Sequence, residues 1–251
     1  MDSGLKNRRL CVIIPTYNNA KTVRRVIEDV KRYCSHVIVV NDGSTDDTVA
    51  VLENLPPEVE VVGYQQNKGK GHALVTGFRH AVGMGFTHAI TIDADGQHFA
   101  DDIPLLTGAM DKNPDGIIVG CRNLTEENMP RQNTFANKFS NFWFRLQTGC
   151  PLSDTQSGYR LYTLASLRGL NLITSRYEAE LELLVFAAWA GVRVTSVPVR
   201  VYYPPADERV SHFRPVYDFV RISILNTVLC VAALVYGYPR MMVRGIKRMM
   251  V

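Results

Sequence analysis

Asp93 and Asp95 are separated by one residue and close the apolar run Thr87-His-Ala-Ile-Thr-Ile92. Side chains alternate along a strand, so residues two apart point the same way, and at a strand end two carboxylates can converge on one hard divalent cation. Mg2+ or Mn2+ held there would bridge the phosphates of a nucleotide-sugar and neutralise a departing diphosphate. Gln97, two residues past Asp95, can complete the metal shell. Asp101 and Asp102 stand before Ile103-Pro104 and read as helix-start acids.

Three further polar clusters could serve the same chemistry. In Val12-Ile-Ile-Pro-Thr-Tyr-Asn18, Pro15 turns the chain out of a strand and Tyr17 is available to stack on a base. In Val39-Val-Asn-Asp-Gly-Ser-Thr-Asp46, Asp42 stands at the next strand end, where its carboxylate can accept from a base N–H or a ribose hydroxyl. Ser44, Asp46 and Asp47 read as caps of the helix that follows. Asn67-Lys-Gly-Lys-Gly71 opens a helix with two glycines, so backbone N–H groups and the helix dipole can meet an anion, with Lys68 near a diphosphate.

The elements that must position these clusters alternate. Short β-branched runs at 10–14, 36–40, 59–63, 87–92 and 116–120 are separated by helical spacing over about 20–34, 45–54, 70–84 and 101–112. This rhythm predicts an α/β fold with a doubly wound, mostly parallel sheet. Ligands bind outside the carboxyl ends of such strands, so one cleft would collect all the clusters. Beyond it, 124–148 reads as a helix with a core-facing aromatic stripe (Phe135, Phe139, Phe142, Trp143, Phe144). Residues 177–190 read as a helix with acids early and Gly191 as its C-terminal cap, and 192–197 as a strand.

The 251 residues suffice for a sizeable core. The net charge of +4 is uneven: from Arg209 onward seven Lys/Arg face one acid, and the first 208 residues carry 21 basic against 23 acidic side chains. That argues against a nucleic-acid-binding body and for a basic tail on an anionic surface such as phospholipid head groups. The tail also holds Ile222 to Tyr238, about seventeen residues without a charge, at the short limit for a span. A bilayer span, an interfacial or re-entrant helix, a helix of an oligomeric bundle and a buried soluble helix all fit it. Cys11, Cys34, Cys121, Cys150 and Cys230 lack metal-ligand spacing and read as small core residues in a reducing compartment. The charged lead Lys6-Asn-Arg-Arg9 precedes only five apolar residues before Pro15, too few for a signal peptide, so the catalytic part is expected on the cytoplasmic side.

The order Pro-Thr-Tyr-Asn, Asn-Asp-Gly-Ser-Thr-Asp, Asn-Lys-Gly-Lys-Gly, Asp-Ala-Asp-Gly-Gln-His resembles family 2 glycosyltransferases of the GT-A fold. Gly120-Cys-Arg122 and Asp154-Thr-Gln-Ser-Gly-Tyr-Arg160 are similar to the polyprenyl-phosphate branch, which includes dolichyl-phosphate mannose synthase and undecaprenyl-phosphate sugar transferases. The resemblance covers about residues 9–215. It implies a membrane-associated, inverting, metal-dependent transferase, with residues 1–213 as catalytic domain and 214–251 as an amphipathic or membrane-associated helical segment. Pro15, Tyr17 and Asp42 would contact the nucleoside, Asp93, Asp95 and Gln97 the metal, and Arg122 donor phosphate or sugar. Asp154 and Gln156 would line the reaction centre, Asp154 orienting rather than deprotonating. Arg200 matches the branch's diphosphate-clamping arginine, but Ser211-His212 stands where Ser-Lys is expected, leaving His212, Arg209 and Arg214 to share an acceptor phosphate. Transfer to another acceptor (glycolipid, saccharide or protein hydroxyl) and a non-catalytic nucleotide-sugar binder are the competing readings.

Overall fold

The computed structural model describes residues 9–123, 131–203 and 215–249. A seven-stranded sheet in the order β3-β2-β1-β4-β6-β5-β7 carries helices on both faces. Its strands are β1 (Leu10–Thr16), β2 (Val37–Asp42), β3 (Val59–Tyr64), β4 (His88–Thr91), β5 (Ile117–Arg122), β6 (Arg160–Thr163) and β7 (Val194–Val199). The pairs β1/β2, β2/β3, β1/β4 and β5/β7 are parallel. Strand β6 runs antiparallel between β4 and β5, placing Arg160 opposite both Thr91 and Val119. The expected mostly parallel, doubly wound sheet is therefore present, with one reversed strand absent from the sequence reading. Four residues led by an arginine give too short a period-2 signal to announce a strand.

The helices are α1 (Val23–Lys31), α2 (Thr48–Glu53), α3 (Lys70–Gly83), α4 (Ile103–Met110), α5 (Arg131–Thr148), α6 (Glu178–Trp189), α7 (Pro215–Ala232) and α8 (Tyr238–Met249). A π-helical turn, Ala233–Gly237, joins the last two. Most are shorter than their periodic patterns because polar loops take over their first turns. The 101–112 pattern, for example, begins as the 3-10 turn Ala100–Asp102.

Central strand β1 is buried along its whole length, which is why Leu-Cys-Val-Ile-Ile shows no polar alternation. Leu10, Val12 and Ile14 pack with Val23, Val26 and Ile27 of α1 and Leu106 of α4. Cys11 and Ile13 face Leu74 and Phe78 of α3 and, beyond them, the residues of α5, α6 and α7. Gly77 lets α3 approach this face, since a Cβ there would sit 2.6 Å from Ile13 Cγ2. Helix α6 ends as predicted: Gly191 has φ +79°, its N–H donates to the Ala188 carbonyl and the Val192 N–H to that of Ala187, a Schellman stop.

The aromatic stripe on α5 is only partly core-facing. Phe144 is fully buried, Phe139 and Trp143 are half-buried, and Phe142 is 61 % exposed. The Phe135 side chain lies outside the described residues. The expected caps also redistribute. Asp46 accepts the Thr48 N–H at 2.9 Å, but the Ser44 hydroxyl accepts the Asn18 N–H at 3.0 Å, tying the β1 and β2 loops together.

All five cysteines are free thiols. Burial pushes Cys11, Cys34 and Cys121 above the ordinary thiol range. Short iodoacetamide treatment of the native protein at pH 8 is expected to label Cys150 and Cys230 and spare these three. Mass spectrometry of native and urea-unfolded samples checks this, since labelling of all five in the native state would contradict the core described here.

Candidate active site

The carboxyl ends of β1, β2, β4 and β5 open onto one cavity of about 850 Å3. Pro15, Tyr17, Asp42, Asp93, Asp95, Gln97, Arg122 and Gln156 all line it, so eight residues singled out in the sequence meet in one place. The aspartate pair lies in the turn after β4 rather than in the strand. Ile92 N–H still bonds the Ile13 carbonyl, and the Asp95 carboxylate accepts the Gln97 N–H at 2.9 Å. Gln97 is held in turn by its carbonyl, which accepts the Tyr202 N–H at 2.7 Å.

Lys70 dominates the electrostatics. Its Nζ lies 2.7 Å from Asp93 Oδ1 and 2.9 Å from Glu180 Oε2, joining α3, the β4 turn and α6. Burial alone would strip its proton, but Asp93 and Glu180 overcome that and raise its pKa. Burial likewise opposes charge on Asp93, and Lys70 outweighs it, holding that carboxyl below its ordinary value. Gly158 is required here, because a Cβ would fall 2.6 Å from Asp93 Oδ2 and 2.7 Å from Lys70 Nζ. Asp95 has no ion-pair partner among the described residues, and burial together with Asp93 pushes it up to about 6.

A divalent cation fits the donor set of the cavity: two carboxylates and an amide supply hard oxygens, and Asp95 makes no ion pair among the described residues. Among the described residues no group of three His, Cys, Asp or Glu gathers as a ready cage. The remaining ligands would have to come from substrate and water.

Several expected roles change. The Asn67–Gly71 loop does not hold its N–H groups open for an anion. The Asp42 carboxylate accepts the Lys68 N–H at 2.8 Å, the Gly69 N–H at 2.9 Å and the Asn67 amide at 3.0 Å. Asp42 thus builds the cavity floor. Lys68 lies outside the cavity lining, its ammonium 4.8 Å from the Tyr64 ring centroid, and the lysine that reaches the site is Lys70. Arg200 is also away from the lining, held by Asp102, whose Oδ1 accepts its Nη2 at 2.8 Å and whose Oδ2 accepts its backbone N–H at 2.7 Å. Asp102 is an anchor for that arginine rather than only a helix-start acid. His212, Arg209 and Arg214 lie outside the described residues.

Asp154 sits behind the cavity wall, fully buried. It accepts Arg122 Nε at 2.6 Å, Arg122 Nη2 at 3.0 Å, the Gln156 N–H at 3.1 Å and the Asn137 amide of α5. Its carboxylate aims Arg122 and Gln156 and does not itself line the cavity. Asp154 is a positioning residue.

The three early acids of α6, read as helix-start charges, are each a buried tie. Glu182 reaches back to the Ile173 and Thr174 N–H groups at 2.6 and 2.9 Å, Glu180 holds Lys70, and Glu178 pairs with Arg221 of α7. Glu178 and Glu180 also line the cavity, and one oxygen of each, Oε2 and Oε1, has no hydrogen-bond partner among the described residues. Their sequence signal is three glutamates at a spacing of two, which on a helix places them on different faces, more than dipole compensation needs.

The profile of Glycosyl transferase family 2 matches residues 11–168, more than half of the chain. The chain belongs to glycosyl transferase family 2. The transferase is 30 % identical over 220 residues to the UDP-N-acetylglucosamine–dolichyl-phosphate N-acetylglucosaminyltransferase of Methanococcus voltae, covering 79 % of this chain and 88 % of that one. It is also 30 % identical over 204 residues to the polyprenol monophosphomannose synthase of Mycolicibacterium smegmatis (76 % and 77 %). The undecaprenyl-phosphate mannosyltransferase of Micrococcus luteus matches at 30 % over 207 residues (76 % and 82 %). Among solved structures, glucosyl-3-phosphoglycerate synthase from Mycobacterium tuberculosis in complex with Mn2+, UDP and phosphoglyceric acid superposes with a TM-score of 0.67. It is 19 % identical, and the match covers 92 % of this chain and 80 % of that one. The same enzyme with Mg2+ and UDP gives 0.64 at 20 % identity, covering 92 % and 81 %. These superpositions establish the GT-A type of fold.

Removing Lys70 leaves Asp93 and Glu180 buried without a cation, so Lys70→Met is expected to cost about 3–5 kcal/mol. A second change, Glu180→Gln, should recover part of it, both read by urea unfolding. Burial opposes charge on Asp154, but Arg122 and Asn137 hold its carboxyl below the ordinary 3.8. Because the folded value is depressed, its stabilisation is present above pH 3.8 and is lost as pH falls towards the native value. Asp154→Asn should therefore be destabilising at pH 7, with a deficit that narrows in acid. A deficit independent of pH would show that the charge of Asp154 is not what stabilises Arg122.

Proposed function

We propose that the transferase moves a sugar, with inversion and in a metal-dependent manner, from a UDP- or GDP-linked donor to a polyprenyl-phosphate lipid at the cytoplasmic face of the membrane. One observation carries this reading: residues suited to a nucleoside, a diphosphate and a hydroxyl-rich ring line a single cavity. The names of the three relatives, each a transferase to a lipid phosphate, favour the acceptor class. In this reading residues 1–213 are the catalytic domain and 214–251 the membrane-associated segment.

Pro15 and Tyr17 receive the base, over the floor that Asp42 braces. Arg122, aimed by Asp154, faces the diphosphate, and Gln156 is held beside it by the same carboxylate. Glu178 and Glu180 also line the cavity, and in this reading they border the sugar. Asp93, Asp95 and Gln97 would hold a divalent cation, which would neutralise charge on the leaving group. An acceptor phosphate oxygen attacks the anomeric carbon from the face opposite the diphosphate. The new C–O bond forms as the old one breaks, and its electron pair stays on the diphosphate. A phosphate acceptor is already ionised, so no general base is needed. That agrees with a cavity in which Asp154 is saturated and cannot act as one.

Incubating the full chain with radiolabelled UDP- and GDP-sugars, Mg2+ or Mn2+ and undecaprenyl phosphate should carry label into the organic phase. Label that stays aqueous, or enters only a saccharide, would replace this acceptor by a hydroxyl. Asp95→Ala should reduce kcat/KM by about a thousandfold or more, and an unchanged rate would remove the metal assignment.

A further inference from the structure

We propose that the solvent-facing side of α7 and α8 is a docking surface for an anionic lipid bilayer, on which the chain lies in the membrane plane without crossing it. The inference deepens the membrane reading above by naming the surface and its orientation, and it does not depend on which phosphate accepts the sugar.

From Val220 to Val243 the helices expose apolar side chains at helical spacing, chiefly Val220, Ile224, Val228, Val231, Val235 and Met242. Leu234, Val235 and Met242 are 71, 74 and 72 % exposed. Thr227 is the polar member of the stripe, and its hydroxyl is spent on the Ser223 carbonyl at 3.1 Å. At 1.5 Å per residue the stripe is about 36 Å long. Phe142 and Leu146 of α5 widen it, beside Tyr238, whose hydroxyl donates to the Leu146 carbonyl.

Length and hydropathy alone would allow Val220–Gly245 to cross a bilayer. The opposite face argues against it. Leu225, Asn226, Leu229, Ala233 and Gly237 are buried against the α/β body. Gln147 of α5 donates to the Asn226 carbonyl at 3.1 Å, and the Trp189 ring of α6 covers Gly237, where a Cβ would fall 2.4 Å from it. A crossing helix meets lipid or other crossing helices around its perimeter. Here the row from Leu225 to Gly237 is occupied by the catalytic body, 28 % of the apolar window being buried, which leaves the outer face to sink about 5–10 Å into the head-group boundary.

Charge selects the occupant. After Asp218 the sequence has no acid, and Arg240, Arg244, Lys247 and Arg248 follow the apolar run, whereas the first 208 residues carry a slight acidic excess. Arg240 stacks over Tyr236, its guanidinium carbon 5.3 Å from the ring centroid, an aromatic–cation pairing suited to the head-group level. An anionic bilayer satisfies both the apolar stripe and its cationic end. The same helix is a wall of the active site: Asp218 and Ile222 line the cavity, and Arg221 pairs with Glu178. Docking by the outer face therefore sets the mouth of the cavity at the lipid surface.

Co-sedimentation of the full chain with phosphatidylcholine vesicles, with and without phosphatidylglycerol and in both cases lacking polyprenyl phosphate, tests the surface. Binding should be stronger with phosphatidylglycerol and should fall at least about tenfold in the double variant Val228→Asp, Val235→Asp. Circular dichroism and UDP-sugar binding of that variant should match the unaltered protein, which separates lost docking from lost folding. Equal binding of both proteins, or no vesicle binding together with concentration-dependent dimers abolished by the double variant, would overturn the proposal, the latter in favour of a second copy as occupant. Orientation is read with an epitope tag after Val251, probed with protease in spheroplasts and in inverted membrane vesicles. Tag and catalytic body on the same side is expected, and opposite sides would establish a span. Vesicle binding without transfer to undecaprenyl phosphate would remove the acceptor assignment and leave this surface standing.

Discussion

Two carboxylates from different elements, Asp93 after β4 and Glu180 on α6, approach one cavity wall that neither could share with the other unaided. The Lys70 ammonium between them makes that approach possible. Taking three charges out of water is repaid only when geometry is good, and this triad meets that condition through short contacts and the bare Gly158 backbone beside it. Because Lys70 opens α3, Asp93 follows β4 and Glu180 belongs to α6, the triad fixes the relative placement of three segments far apart in sequence. The β4 turn, α3 and α6 walls of the cavity are registered to one another by this one cation.

A second buried pair performs the same service at the end of β5. Arg122 at the tip of β5 would be a wandering cation without Asp154, which receives both its guanidinium edge and its backbone N–H. Asn137 brings α5 to the same carboxylate, so the crossover after β5 is coupled to the arginine it follows. The two devices differ in what they leave available. The Arg122 pair consumes its carboxylate entirely, whereas the Lys70 triad leaves one buried Glu180 oxygen without a hydrogen-bond partner among the described residues.

Much of this was legible in the chain because strand periodicity and loop composition are local signals. The parallel strands announced themselves as β-branched runs, and topology then carried the polar residues after them to one rim, which is why eight candidates converge. What could not be read were decisions taken between segments. Lys68 and Lys70 are indistinguishable in sequence; the fold turns one over Tyr64 and the other into the site. Asp42 looks like a ligand-binding acid, but the amides that complete it lie 25 residues or more further on. Arg200 has the right neighbours in sequence, and its partner Asp102 is 98 residues away. Strand β6 escaped notice because its existence depends on β4 and β5 flanking it rather than on its own four residues.

That reversed strand has a consequence for how this scaffold can diversify. Since β6 runs away from the ligand rim, the Asp154–Tyr159 loop meets the rim just before Arg160, directly beside the ends of β4 and β5. The described chain between Arg122 and Asp154 is mainly α5, which Asn137 ties back to Asp154, so the chain rejoins the rim beside the arginine. Changes confined to the exposed face of α5, at Phe142 or Leu146, therefore leave the returning loop in register, whereas changes at Asn137, Phe144 or Gln147 reach the rim or the core.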